Sequence, residues 1–256
     1  MVAADGQPLR GLRESARASD ALRAVRITPD WTSAPLASVL IACGKTRLLC
    51  TASVEDEVPP HRVGKGGWMS AEYGMLPGST PRRVKRPIGK QDGRQVEIQR
   101  LIGRSLRAAF DIDRIGARTL WIDCDVLEAD GGTRTAAVTG GYVAARIAAE
   151  RLVRDGLAEP ACMLAAVAAV SVGLVGGALA LDLDFRLDSR ADVDMNVVMT
   201  ERGEFVEVQG TGEKRAMSRA ELDALLALAE GGIRQLFALQ TAAVAEALAT
   251  RPGVRG

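Results

Sequence analysis

The segment Asp130-Gly131-Gly132-Thr133-Arg134-Thr135 carries the sharpest chemical signal in the chain. Two glycines permit a tight turn, and the residues that follow have helical composition as far as Asp155. The first amides of a helix have no acceptor within it and carry partial positive charge, so a small anion binds there without a special side chain. Thr133 adds a hydroxyl and Arg134 a charged fork of donors. A phosphate site is one reading, and a plain turn before a helix is the other. The second signal is acidic: Asp182, Asp184, Asp188, Asp192 and Asp194. Carboxylates two apart share a strand face, and two such pairs on neighbouring strands suit a hard divalent ion such as magnesium. A solvated strand face has the same pattern.

Other candidates fail on composition or spacing. Cys43-Gly44-Lys45-Thr46 imitates the end of a phosphate-binding loop, but Val39 stands where that loop needs glycine, and the segment joins two strands. With a single histidine, His61, in a Pro-Pro-His-Arg loop, histidine-built metal centres are excluded and a nucleophilic triad would rest on that residue. Cys43, Cys50, Cys124 and Cys162 lie in apolar runs without CxxC spacing, which reads as reduced core thiols.

The net charge of +1 conceals an uneven distribution. Residues 82 to 118 carry eleven basic and four acidic side chains, a net +7, whereas residues 119 to 256 carry thirteen and twenty, a net −7. The basic section opens with Arg82-Arg83-Val84-Lys85-Arg86 and continues through Lys90, Arg94, Arg100, Arg104 and Arg107. Such a cluster suits a polyanion, and a solvated face balanced by the acidic half is the alternative. The remaining composition, 47% hydrophobic and 25% charged over 256 residues, is that of a globular chain. No run of eighteen uncharged apolar residues occurs and the first residues lack a leader pattern, so the expectation is a cytoplasmic protein without a membrane partner.

Periodicity supplies the elements that hold these residues. Alternation from Ala21, then SVLIAC and TRLLCTASV around Gly44-Lys45, predicts three antiparallel strands. Residues 55 to 94, rich in Pro, Gly and basic residues, read as one long loop. From Val96 to Phe110 the spacing is helical, with Arg100, Arg104 and Arg107 displayed opposite the apolar stripe. Leu120, Ile122, Cys124 and Val126 alternate with Asp123 and Asp125 in a strand that leads into the double-glycine turn and its helix. Hairpins follow about Gly176-Gly177 and Arg202-Gly203, and Ser218 with Glu221 forms a capping box before a long final helix. The two halves read as rough copies of one helix-backed, strand-rich unit.

Five segments then carry a family resemblance: GWMSAEYGMLPGST (67 to 80), GKQDGRQVEIQRLIGRSLRA (89 to 108), DCDVLEADGGTRTAAVTG (123 to 140), DSRADVDMNVVMT (188 to 200) and EVQGT (207 to 211). Together, in order between about Leu22 and Leu248, they resemble the ribonuclease PH family of phosphorolytic exoribonucleases, related to polynucleotide phosphorylase and the exosome core. The resemblance implies an α+β fold: the β-α-β arrangement of ribosomal protein S5 domain 2, duplicated in tandem, with helices packed on mixed sheets. It implies a divergent extension over residues 1–20, a first half over 21–156 with the phosphate and basic RNA-binding segments, and a second half over 160–250 with the acidic region and C-terminal helices.

The implied activity is attack of inorganic phosphate on the 3′-terminal phosphodiester of tRNA precursors, releasing nucleoside 5′-diphosphates. The nucleophile is then a substrate, and the scarcity of histidine is understandable. Carried over by motif, the phosphate ligands are Arg94, Gly132, Thr133 and Arg134. Asp188, Asp192 and Asp194 match the region used for magnesium or for protonating the leaving oxygen, Asp192 first and Asp194 second. Arg83 and Arg86 match residues that take part in RNA binding and ring assembly, and Arg100 and Arg104 extend that basic surface. Six copies are expected as a trimer of dimers. Gly78, the short loop before Gly89, Gln95, Arg186-Leu187 and the blurred start DGQPLRGLRESARASDALR depart from the family pattern. The competing classes are a non-catalytic RNA-binding ring subunit, from which the intact anion set argues away, and a metal-dependent nuclease that uses water.

Overall fold

A computed structural model describes residues 17–86 and 92–250; the expectations placed on Gly89, Lys90 and most of the N-terminal extension lie outside these residues. Three antiparallel strands, β1 (Val25–Pro29), β2 (Ala37–Cys43) and β3 (Thr46–Glu55), form as expected, with Gly44 at φ 59° making the turn between the last two. The supposed loop contains a strand, β4 (Trp68–Met75). It lies at the edge of the sheet, where only Met69 and Tyr73 are buried, so its alternation is too faint to read from sequence. Helix α1 (Gly93–Ala109) carries the chain from β4 to its parallel neighbour β5 (Thr119–Glu128), the crossover that a parallel pair requires. The first sheet has the order β1-β2-β3-β5-β4 and is mixed.

Helix α2 (Thr133–Arg154) then lies at the centre of the molecule. It packs on β2, β3 and β5 on one side and on the second sheet on the other, which explains why nearly all of its faces are apolar or small. Gly140 lets the helix approach the first sheet closely, since a Cβ there would stand 2.7 Å from Ile41 Cγ2. The second sheet comprises β6 (Val167–Val175), β7 (Ala178–Leu181), β8 (Val193–Thr200) and β9 (Phe205–Gly212) in the order β7-β6-β8-β9. It is antiparallel throughout, so the expected mixed sheet exists in the first half alone. The short helix α3 (Phe185–Asp188) links β7 to β8.

Helix α4 (Arg219–Thr250) covers β6 with one stripe and begins at the predicted capping box, the Glu221 carboxylate accepting from the Ser218 amide at 2.7 Å. Its buried Gln240 donates to the carbonyls of Thr139 on α2 and Val167 on β6, at 3.1 and 3.0 Å. The α+β class and the repetition of a sheet-and-helix unit are as expected, while the parallel crossover β4-α1-β5 has no counterpart in the second half, where the short α3 joins β7 to β8 and these strands are not neighbours. All four cysteines are free and buried. Among the described residues no helix is long and apolar enough to cross a membrane.

Candidate active site

A cleft of about 290 Å³ opens where the two halves meet, and the double-glycine turn is part of its wall. Gly131 and Gly132 both have left-handed backbones, φ 79° and 68°, and Gly132 caps α2. Space demands glycine as well as conformation. A Cβ on Gly131 would stand 2.6 Å from the Leu183 carbonyl oxygen and 2.7 Å from the Phe185 nitrogen, backbone of the second half. A Cβ on Gly132 would stand 2.9 Å from Nη2 of Arg23. Arg23 in turn holds the turn in place: its guanidinium donates to the carbonyls of Asp130 (2.7 Å) and Gly131 (3.3 Å) and makes a two-pronged ion pair with Asp182 (2.9 and 2.7 Å). Thr46 completes the clasp, accepting from the Asp130 amide and donating to the Gly131 carbonyl.

The first helical hydrogen bond of α2 runs from the Ala136 amide to the Gly132 carbonyl, so the amides of residues 133 to 135 precede the helical ladder. Thr133 Oγ1 stands 2.8 Å from the hydroxyl of Tyr73. Arg134 Nη1 donates to Gln209 (3.0 Å) and Glu97 (3.2 Å), which aims the rest of its fork at the cleft. Arg94 reaches the same cleft from the first turn of α1, its amide held by the capping Asp92 carboxylate. All four residues read as phosphate ligands, Arg94, Gly132, Thr133 and Arg134, therefore line one cleft.

The acidic run is divided. Asp188 and Asp194 line the cleft opposite the arginines. Burial pushes the Asp194 carboxyl up to about 6, with the charges of Asp188 and Glu213 adding to the rise and Arg134 opposing it. Burial also raises Asp188, against the pull of Arg94 and Arg134. Asp192, the residue expected first, is not part of the cleft. It precedes the β8 ladder, and its carboxylate accepts from the Gly177 amide at 3.3 Å and faces Lys214 at 3.9 Å. Asp182 is committed to Arg23, and Asp184 caps α3 by accepting from the Leu187 amide at 2.9 Å. Among the described residues no three acidic, histidine or cysteine side chains assemble as a metal site, so the expected set Asp188, Asp192 and Asp194 does not converge.

The basic surface is also thinner than its sequence. Arg83, Arg86 and Arg100 are exposed. Arg104 is bound through both prongs to Glu207 on β9, between 2.6 and 3.0 Å. Arg107 turns back across the Trp68 ring, 4.8 Å from its centroid, and donates to the Met69 carbonyl. Two of the departures from pattern can be placed in the structure. Gly78 faces open space, and Leu187 is fully buried in a small cluster with Leu183 and Val175, so an acidic residue there would need a different packing. Sequence reading missed Tyr73, because β4 was hidden, and missed Glu97, Gln209 and Glu213, which lie within or beside quoted segments but show their use only across elements.

Comparison with known proteins shows the family of the chain. Residues 21–150 match the model of domain 1 of the 3′ exoribonuclease family, and residues 165–232 match domain 2. The chain belongs to the 3′ exoribonuclease family. Among family proteins, the ribonuclease PH of Syntrophomonas wolfei is 54% identical over 89% of this chain and 97% of its own, and that of Corynebacterium glutamicum is 55% identical over 91% and 96%. Solved structures of the family fold include the Archaeoglobus fulgidus exosome with RNA bound to the active site, with TM-score 0.73, 20% identity and coverage of 88% of this chain and 91% of that one. Rice (Oryza sativa) Rrp46 is similar with TM-score 0.74 at 14% identity, covering 91% and 100%.

Proposed function

We propose that this member of the family is a phosphate-dependent 3′-to-5′ exoribonuclease that shortens tRNA precursors one nucleotide at a time in the cytoplasm. The observation that carries the reading is the cleft that sets Arg94, Thr133, Arg134 and the start of α2 against Asp188 and Asp194. Bound orthophosphate sits on that anion set and presents an oxygen to the terminal phosphorus of the RNA. A new P–O bond forms as the bond from phosphorus to the 3′ oxygen of the penultimate ribose breaks, and the last nucleotide leaves as a 5′-diphosphate. Asp194, whose acid form its surroundings favour, supplies the proton to the departing 3′ oxygen. The guanidiniums stabilise the charge that gathers on the phosphoryl oxygens.

Magnesium fits the donors in a restricted way. This ion is commonly held by one or two carboxylates together with substrate phosphates, and Asp188 beside a bound phosphate satisfies that need without Asp192. When bound, it would neutralise charge on the phosphate oxygens. The exposed Arg83, Arg86 and Arg100 grip the RNA backbone, which makes binding salt-dependent and tolerant of sequence. The halves divide at 21–156 and 160–250, and six copies close as a trimer of dimers, with Phe205 and Val208 on the β9 edge among the exposed apolar side chains available for contacts.

A short RNA with a single-stranded 3′ tail tests the reading. Nucleoside diphosphates are expected with orthophosphate, and no release without it. Monophosphates released without phosphate would assign the chain to the hydrolytic class, and tight binding without release to the non-catalytic ring subunits. Arg134→Ala is expected to raise the KM for phosphate about ten- to hundredfold, the worth of charged hydrogen bonds, with a much smaller change in RNA affinity. Steady-state kinetics with each substrate varied in turn measures both, and an unchanged phosphate KM would contradict the assignment.

A further inference from the structure

We propose that Phe185 is the platform on which the base of the 3′-terminal nucleotide stacks, an inference that rests on the exoribonuclease reading of the same cleft. Phe185 is 63% exposed, although its ring is large and apolar and its neighbour Leu187 on the same short helix is fully buried. Scattered apolar side chains on a surface need no explanation, but this one stands in the wall of the cleft that holds the anion set.

Its backbone is tied to the double-glycine turn. The Phe185 amide donates to the Asp130 carbonyl at 3.2 Å, and its carbonyl accepts from Ser189 at 3.0 Å. Gly131 lies so close that a Cβ there would be 2.7 Å from the Phe185 nitrogen. The main chain that carries the ring is thus anchored beside the residues read as receiving phosphate. Met75, Ala129 and Leu183 line the same cleft and make part of it apolar. A cleft with an apolar, aromatic wall and a cationic one suits a nucleotide, whose base has a π-face and whose phosphate is anionic. Stacking of this kind accepts any base, which a trimming enzyme requires.

The test uses RNA ending in 2-aminopurine, whose fluorescence is quenched by stacking, and reads binding in the absence of phosphate. Wild type is expected to quench it, and Phe185→Ala to lose the quench. In phosphate, Phe185→Ala should raise the KM for RNA about tenfold or more and leave the KM for phosphate within about twofold. Phe185→Trp should retain both properties, whereas Phe185→Leu, apolar without a π-face, should not. An RNA whose last nucleotide lacks its base should bind wild type as weakly as normal RNA binds Phe185→Ala. Equal quench in wild type and Phe185→Ala, or full activity in Phe185→Leu, would overturn the proposal, as would a Phe185→Ala defect confined to assembly size in sedimentation. These outcomes are separable from failure of the exoribonuclease reading. That failure is the absence of diphosphate release by wild type, and the quench is measured without turnover.

Discussion

Asp194→Asn is expected to lower kcat by about 10²- to 10⁴-fold, the contribution of a positioned proton donor. Asparagine preserves shape but has no proton to give a departing alkoxide. Because Arg94 and Arg134 stay in place and a neighbouring negative charge is removed, phosphate binding should be unchanged or tighter, so the loss falls on kcat and not on KM. The wild-type pH profile carries a sign that tests the role. Asp194 is raised to about 6, so its acid form prevails below that pH and falls tenfold for each unit above it. As a proton donor it should make log kcat/KM bend downward above pH 6, and the bend should be absent in Asp194→Asn. A profile that rises through pH 6 would give the carboxylate, not the acid, the working role. Asp192→Ala is the contrasting variant: its carboxylate serves the Gly177 turn outside the cleft, and near-normal turnover is expected. Wild-type rates in Asp194→Asn would pass the donor role to Asp188.

The second large effect concerns stability. Arg23→Met leaves the carboxylate of Asp182, whose side chain is 8% exposed, buried without its main partner, and breaking such a pair destabilises by about 3–5 kcal/mol. In a chain of this size the Tm should fall by about 10 °C. Burial alone would push Asp182 up, but the hydrogen bonds and charge of Arg23, helped by Arg17, hold it below the usual carboxylate range. A carboxyl depressed in this way stabilises above its unfolded pKa of about 4, and the benefit is lost as pH falls through the folded value. The gap between wild type and Arg23→Met should therefore narrow below pH 4 in denaturant titrations. The double variant Arg23→Met with Asp182→Leu, which removes both charges, separates structure from function. Stability should largely return, whereas the KM for phosphate should remain high, because the Asp130 and Gly131 carbonyls still lack their donor. Recovery of both would reduce Arg23 to a packing role.

The difference between what sequence reveals and what it hides follows contact distance. Strands β2, β3 and β5, helix α1 and the hairpins were readable because their burial pattern is local. The double-glycine turn was readable for the same reason, since Gly131 to Arg134 are contiguous, whereas the residues that hold it, Arg23, Thr46 and Leu183, are distant in sequence. Strand β4 was not, because its inward positions alternate large with small or half-exposed residues, Met69 and Tyr73 with Ala71 and Met75. The carboxylates required tertiary knowledge: Asp192 and Asp194 have the same parity, but only Asp194 lies within the ladder, opposite Gly173, and faces the cleft. Arg104 and Arg107 sit as periodicity demands, and their partners, Glu207 and Trp68, belong to strands that no helical period can announce.

The contact at Gly131 ties chemistry to architecture. A loop from one half rests with no spare atom on the backbone of the other, so the cleft keeps its shape only while the two halves remain seated on each other. The seam between the halves is therefore a joint on which the placing of the cleft's anion-facing groups depends. Selection for turnover would then police the seam itself, and drift in either half should be tolerated almost everywhere except along it.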